Sequence, residues 1–156
     1  MFVNAQHTIS TIGLSRLLEF ANGTFALAYD AQQITEDDLN KALLATPETD
    51  IQTTLLNWFN TASTNVNNTI AGYVAKLELT QAEVDASPLL GLAADLMRYE
   101  LCNNDADEGL MTRRKNAMLE LGKIEAGTIQ IKAPSPMASG PIQTKPLASN
   151  FDWQRY

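Results

Sequence analysis

A chain of 156 residues, 45% of them hydrophobic, has the size of one domain with a single core plus extensions, and no second domain is expected. Its formal net charge of −7 argues against a protein that grips phosphate backbones with a basic face, and suits protein partners or a place beside DNA without adhesion. A lone cysteine, Cys102, excludes an internal disulfide, and with His7 as the lone histidine it also excludes a Cys/His structural zinc site.

No run of apolar residues reaches the roughly 18 needed to span a bilayer. Residues 1–11 lack the basic start and apolar middle of a secretory signal, so a soluble chain made in the cytoplasm is expected and the triplets at Asn22 and Asn67 carry no glycosylation meaning.

Helical spacing dominates from Gly13 to Gly127. Leu14, Leu17, Leu18 and Ala21 predict a short first helix, closed by the turn signal Asn22-Gly23, and residues 24–29 alternate weakly as an extended crossing segment. Thr35 followed by Glu36, Asp37 and Asp38 reads as a helix N-cap with carboxylates where the helix dipole favours them, and this second helix stops before Pro47.

From Asp50, apolar residues recur at steps of three and four through Leu55, Phe59, Ala62, Val66, Ile70 and Tyr73, predicting one long helix over 50–73. Its opposite face carries threonine, serine and asparagine, Asn57 and Thr64 among them, where lysine and glutamate would ordinarily solvate a surface. Two readings fit that face: a plain polar surface, or amides and hydroxyls that meet a neighbouring subunit. The missing charges favour the second.

Thr80 and Glu83 form a capping box before a short turn, and Pro88 is placed at the first position of a further helix. Leu89, Leu92, Ala93, Leu96, Met97, Tyr99 and Leu101 make that helix apolar round most of its circumference, which marks it as the central element, with Cys102 as a small core residue. A last long helix follows the acidic stretch 103–109 and ends at Gly127, and Ile129 and Ile131 alternate for one strand-like step. The expected fold is all-α: a small bundle of four or five helices over 1–132, then an extended proline-rich C-terminal arm over 133–156.

The arm contains Pro134, Pro136, Pro141 and Pro146, which exclude helix and favour extended backbone. Ile142, Leu147, Phe151, Trp153, Arg155 and Tyr156 are its anchor candidates, since aromatic and arginine side chains dominate interface energies. A passive tail is the alternative reading.

Catalytic constellations are not found. His7 has no nucleophile that the sequence places beside it, no phosphate-binding glycine motif occurs, and the 103–109 stretch has its glycine one position too late for a calcium loop. No enzyme activity, cofactor or metal is expected. Arg113, Arg114 and Lys115 point in different directions on a helix; Arg114 alone falls on the apolar stripe, where it is expected to pair with a carboxylate, in its own subunit or across a subunit boundary.

The segments Ala71-Gly72-Tyr73-Val74, Pro88-Leu89-Leu90, Ala93-Ala94-Asp95-Leu96-Met97-Arg98-Tyr99-Glu100-Leu101 and Ala117-Met118-Leu119-Glu120-Leu121-Gly122-Lys123-Ile124-Glu125-Ala126-Gly127 occur in this order. In that order and spacing the chain resembles the small head-to-tail connector (head-completion, neck adaptor) proteins of Mu-like prophages and transposable siphophages. The resemblance covers about 11–131 and the aromatic close 151–156, and departs at 30–47, where an acidic helix replaces a short Asp/Gly-rich loop. It implies a virion protein of the neck: a subunit of a homo-oligomeric ring, a dodecamer, below the portal protein. The ring would continue the DNA channel without sequence-specific DNA binding and dock the next neck or tail-completion protein. The alternative is a small cytoplasmic helical adaptor that binds one protein partner through its arm, with no membrane association in either case.

Overall fold

In a computed structural model of the chain, the structure describes residues 1–25, 34–102 and 107–131. Among these residues it is all-α, as expected. Seven helices form: α1 (Ala5–Ile12), α2 (Leu14–Phe25), α3 (Glu36–Leu44), α4 (Asp50–Val74), α5 (Gln81–Asp85), α6 (Leu89–Cys102) and α7 (Glu108–Glu125), with a 3-10 turn at Ala75–Leu77. The count exceeds the four or five expected because the polar N-terminal stretch folds as α1 and the capped turn at 81–85 closes as α5.

α1 has local causes that its polar composition hides. The Asn4 side chain accepts from the His7 amide at 2.8 Å, Ala5, Ile9 and Ile12 lie on one face, and Gly13 at φ 90° ends the helix with its N–H on the Ile9 carbonyl. Val3 and Thr8 are fully buried behind that face.

α2 does not stop at Asn22-Gly23. The Asn22 side chain is taken by a distant backbone instead: its Oδ1 accepts from Ile34 N at 3.1 Å and its Nδ2 donates to Ile34 O at 3.4 Å. With the amide so engaged, it is no longer free to close a local turn, and the helix continues through Thr24 and Phe25. The remainder of the expected extended segment lies outside the described residues.

The caps at Thr35 and Thr80 form as the sequence indicates, each a reciprocal box, with Asp38 and Glu83 respectively. Asp107 caps α7 by accepting from Leu110 N at 2.7 Å, so the acidic stretch supplies a cap and first-turn charge at its described end. Pro88 sits one residue earlier than expected, its carbonyl receiving Gly91 N and Leu92 N at 3.1 and 3.2 Å in the cap position of α6.

α4 and α6 pack on each other at the centre; α3 and α7 flank α4, while α1, α2, α5 and α7 flank α6. Leu55, Phe59, Val66 and Ile70 from α4 meet Leu89, Leu92, Leu96, Met97 and Leu101 from α6 in one core, closed by Leu110, Ala117, Leu121 and Ile124 of α7. Tyr99, expected in this core, is half-buried at its edge. Ile129 and Ile131 form no strand step: after Gly127, at φ 74°, they fold back as half-buried residues against the core. No described helix is long and apolar enough to cross a membrane.

Candidate interaction surfaces

The polar side of α4 divides into two parts with different jobs. Ser63 and Asn67, read from sequence as outward-facing, turn inward and hold the start of the chain. Asn67 Oδ1 accepts from Phe2 N and Val3 N at 2.7 and 3.1 Å, while its Nδ2 donates to Val3 O and Ser63 O at 3.2 and 2.9 Å. Gln52 is likewise buried, accepting from Glu48 N at 2.8 Å and donating to Asp38 at 3.3 Å.

The outward part consists of Asn57, Asn60, Thr61, Thr64, Asn65 and Asn68, all exposed. No charged side chain occurs between Asp50 and Lys76. The Thr61 hydroxyl donates back to the Asn57 carbonyl at 2.8 Å, so its methyl group is left to face outward. Asn57 and Thr64 share the rim of a shallow depression of about 400 Å³. Asn57 also borders a second depression of about 430 Å³, in which Phe25 and Trp58 meet edge to face with centroids 6.1 Å apart. Two polar atoms in that second depression, Trp58 Nε1 and Thr24 Oγ1, are buried and lack a hydrogen-bond partner. Covering a face of amides and hydroxyls costs far less desolvation than covering one of charges, and it presents donors and acceptors to a neighbour.

A second surface lies where α7 leans on α6 and the end of α4. Tyr73, Tyr99, Met111, Arg114, Met118 and Leu119 line a groove of about 660 Å³, with Glu108 and Lys115 on it as well. Met111 and Leu119 are 57% and 56% exposed, large apolar side chains left open to water. Within the subunit the Arg114 guanidinium lies over the Tyr99 ring, 4.5 Å from the centroid, and a carboxylate of another subunit stays outside this structure. Asp95 is taken by Arg98 at 2.8 Å and approached by Arg113 at 3.6 Å, so Arg113 turns towards α6 while Arg114 and Lys115 both lie on the groove. Sequence reasoning misses this groove because Leu110, Met111, Ala117, Met118, Leu121 and Ile124 read as one apolar stripe along α7. It carries two: Leu110, Ala117, Leu121 and Ile124 inward, and Met111, Met118 and Leu119 beside them at the same helical spacing.

His7 serves packing. Its Nε2 lies 3.3 Å from the Leu90 carbonyl, tying α1 to α6. No group of three His, Cys, Asp or Glu side chains among the described residues is placed to hold a metal ion. The arm candidates Ile142, Leu147, Phe151, Trp153, Arg155 and Tyr156 lie outside the described residues.

A family model, bacteriophage Mu Gp36, matches residues 21–146. The chain belongs to the bacteriophage Mu Gp36 family. Both surfaces fall inside the matched region, as do the segment 30–47, where motif comparison finds a departure, and the proline-rich beginning of the arm. No curated protein and no solved structure matches this Gp36-family chain.

Proposed function

We propose that this Gp36-family chain is a structural virion protein, the head-to-tail connector subunit of a tailed phage, without catalytic activity. Copies of it close into a ring, a dodecamer by the resemblance described above, beneath the portal protein. The ring continues the DNA channel and offers its far side to the next neck or tail-completion protein.

The observation that carries this reading is the outward face of α4: exposed, uncharged along its length, on a chain whose formal net charge is −7. A chain with that charge has ample acidic side chains for solvation, and their exclusion from one long face fits a surface covered in the assembly. Closed rings need two different patches on each subunit that complement each other by rotation. The α4 face is a candidate for one such patch. Repeating an acidic subunit around a channel also leaves passing DNA few places to adhere.

Cryo-electron microscopy of the particles that contain this chain tests the reading. The expected result is a closed ring of this chain between capsid and tail, in register with the portal. Finding the chain only in the capsid shell or the tail tube, or absent from purified virions, overturns it.

A further inference from the structure

The α6/α7 groove leaves apolar surface open to water. Met111 and Leu119 offer apolar surface, the Tyr73 and Tyr99 rings stand at its side, and the exposed Arg114 lies over the Tyr99 ring. It carries charge of both signs, Glu108 at the start of α7 and Arg114 and Lys115 about two turns on. The matching composition in this chain is the 147–156 segment: Leu147, Phe151 and Trp153 supply apolar and aromatic bulk, while Asp152 and Arg155 supply one charge of each sign. Aromatic residues against methionine, with flanking charges of both signs, satisfy the chemistry of both surfaces.

We propose that this groove binds the 147–156 segment of a second copy of the chain. Reach decides between the chain's own arm and a neighbour's. Along α7, Leu119 and Met111 lie only about 9 and 21 Å from the helix end at Glu125, at 1.5 Å rise per residue. Four prolines between 134 and 146 favour a polyproline course, in which the stretch from Ala133 to Phe151 covers roughly 55 Å. An arm that follows this course would pass its own groove and be long enough to reach that of an adjoining copy. The contact is heterologous, each chain giving an arm and receiving one, so it propagates around a ring. It goes beyond the connector reading and does not depend on it, because it is a property of the purified chain.

The test uses full-length chains with Cys102→Ser to remove the native thiol. One carries Thr112→Cys, at an exposed groove position, and the other Asn150→Cys, beside the anchor residues. Mixed under mild oxidation, the two are expected to form a disulfide-linked heterodimer, in clear excess over a control pairing Asn150→Cys with Ala45→Cys. Adding Leu119→Glu to the groove chain is expected to abolish the cross-link with the circular dichroism spectrum and thermal midpoint kept, since Leu119 is exposed. If the double variant Thr112→Cys with Asn150→Cys forms an internal bridge while the mixture gives no heterodimer, the groove holds its own arm and the proposal is overturned. If neither cross-link forms, the groove belongs to some other partner and the proposal is equally overturned. Failure here leaves the connector reading standing, and absence of the chain from phage necks leaves this contact standing.

Discussion

Asn67 shows how much one side chain can carry. It satisfies the Phe2 and Val3 amides and the Val3 carbonyl at once, across 64 residues of sequence, and so seats Val3 in the core. Asn67→Ala leaves these groups without partners and is expected to destabilise the fold by about 1–3 kcal/mol, measurable by urea denaturation. An unchanged midpoint would mean that water replaces the amide at no cost. Asp38 makes a pH prediction. Its carboxylate is held below the usual range, first by the Thr35 hydroxyl that donates to it at 2.6 Å, then by Gln52 and the Thr35 N–H, with burial working the other way. The folded-state pKa is thus lower than the unfolded one. Asp38 therefore contributes stability that is present above the ordinary aspartate value of about 3.9 and lost as pH falls through the folded value. Asp38→Asn should lower stability at pH 7 and flatten part of the acid loss below about pH 4, as followed by denaturation at both pH values.

At the scale of elements, α6 is tested as core and the outward face of α4 as a contact surface. Leu96 of α6 is 4% exposed and packs in the core, so Leu96→Ala is expected to cost about 2–5 kcal/mol, the range for emptying a buried leucine site. A loss below about 1 kcal/mol in chemical denaturation would contradict that placement. For α4 the expectation is the reverse. Asn57→Glu with Thr64→Glu should leave helicity and thermal midpoint nearly as they are, because both positions are exposed, while preventing self-association through charges buried without partners. Sedimentation of the double variant against the parent chain checks this, and normal assembly would show that the face is ordinary solvent-facing surface.

For the whole molecule, the arm separates folding from assembly. A chain ending at Lys132 should keep its helical spectrum and its midpoint but lose self-association, as calorimetry and sedimentation would show; unfolding on truncation would put the arm in its own subunit's core. The sequence by itself determined the helix start at Thr35, the capping box at Thr80, the long helix from Asp50, and the all-α class. Capping and hydrophobic period act within a few residues of chain and need no tertiary partner to be read. It also carried the order of segments by which the chain resembles a Mu-like phage family. Other features required the packed fold. Asn22 continues its helix because Ile34 takes its amide, Ser63 and Asn67 turn inward because the N-terminal residues lie there, and Arg114 settles on Tyr99 because α7 leans on α6. The groove beside Met111 and Leu119 exists only where three helices converge. In each of these cases the partner is distant in sequence, and a polar or apolar side chain at the border of a helix face takes its direction from whichever surface the fold brings to it.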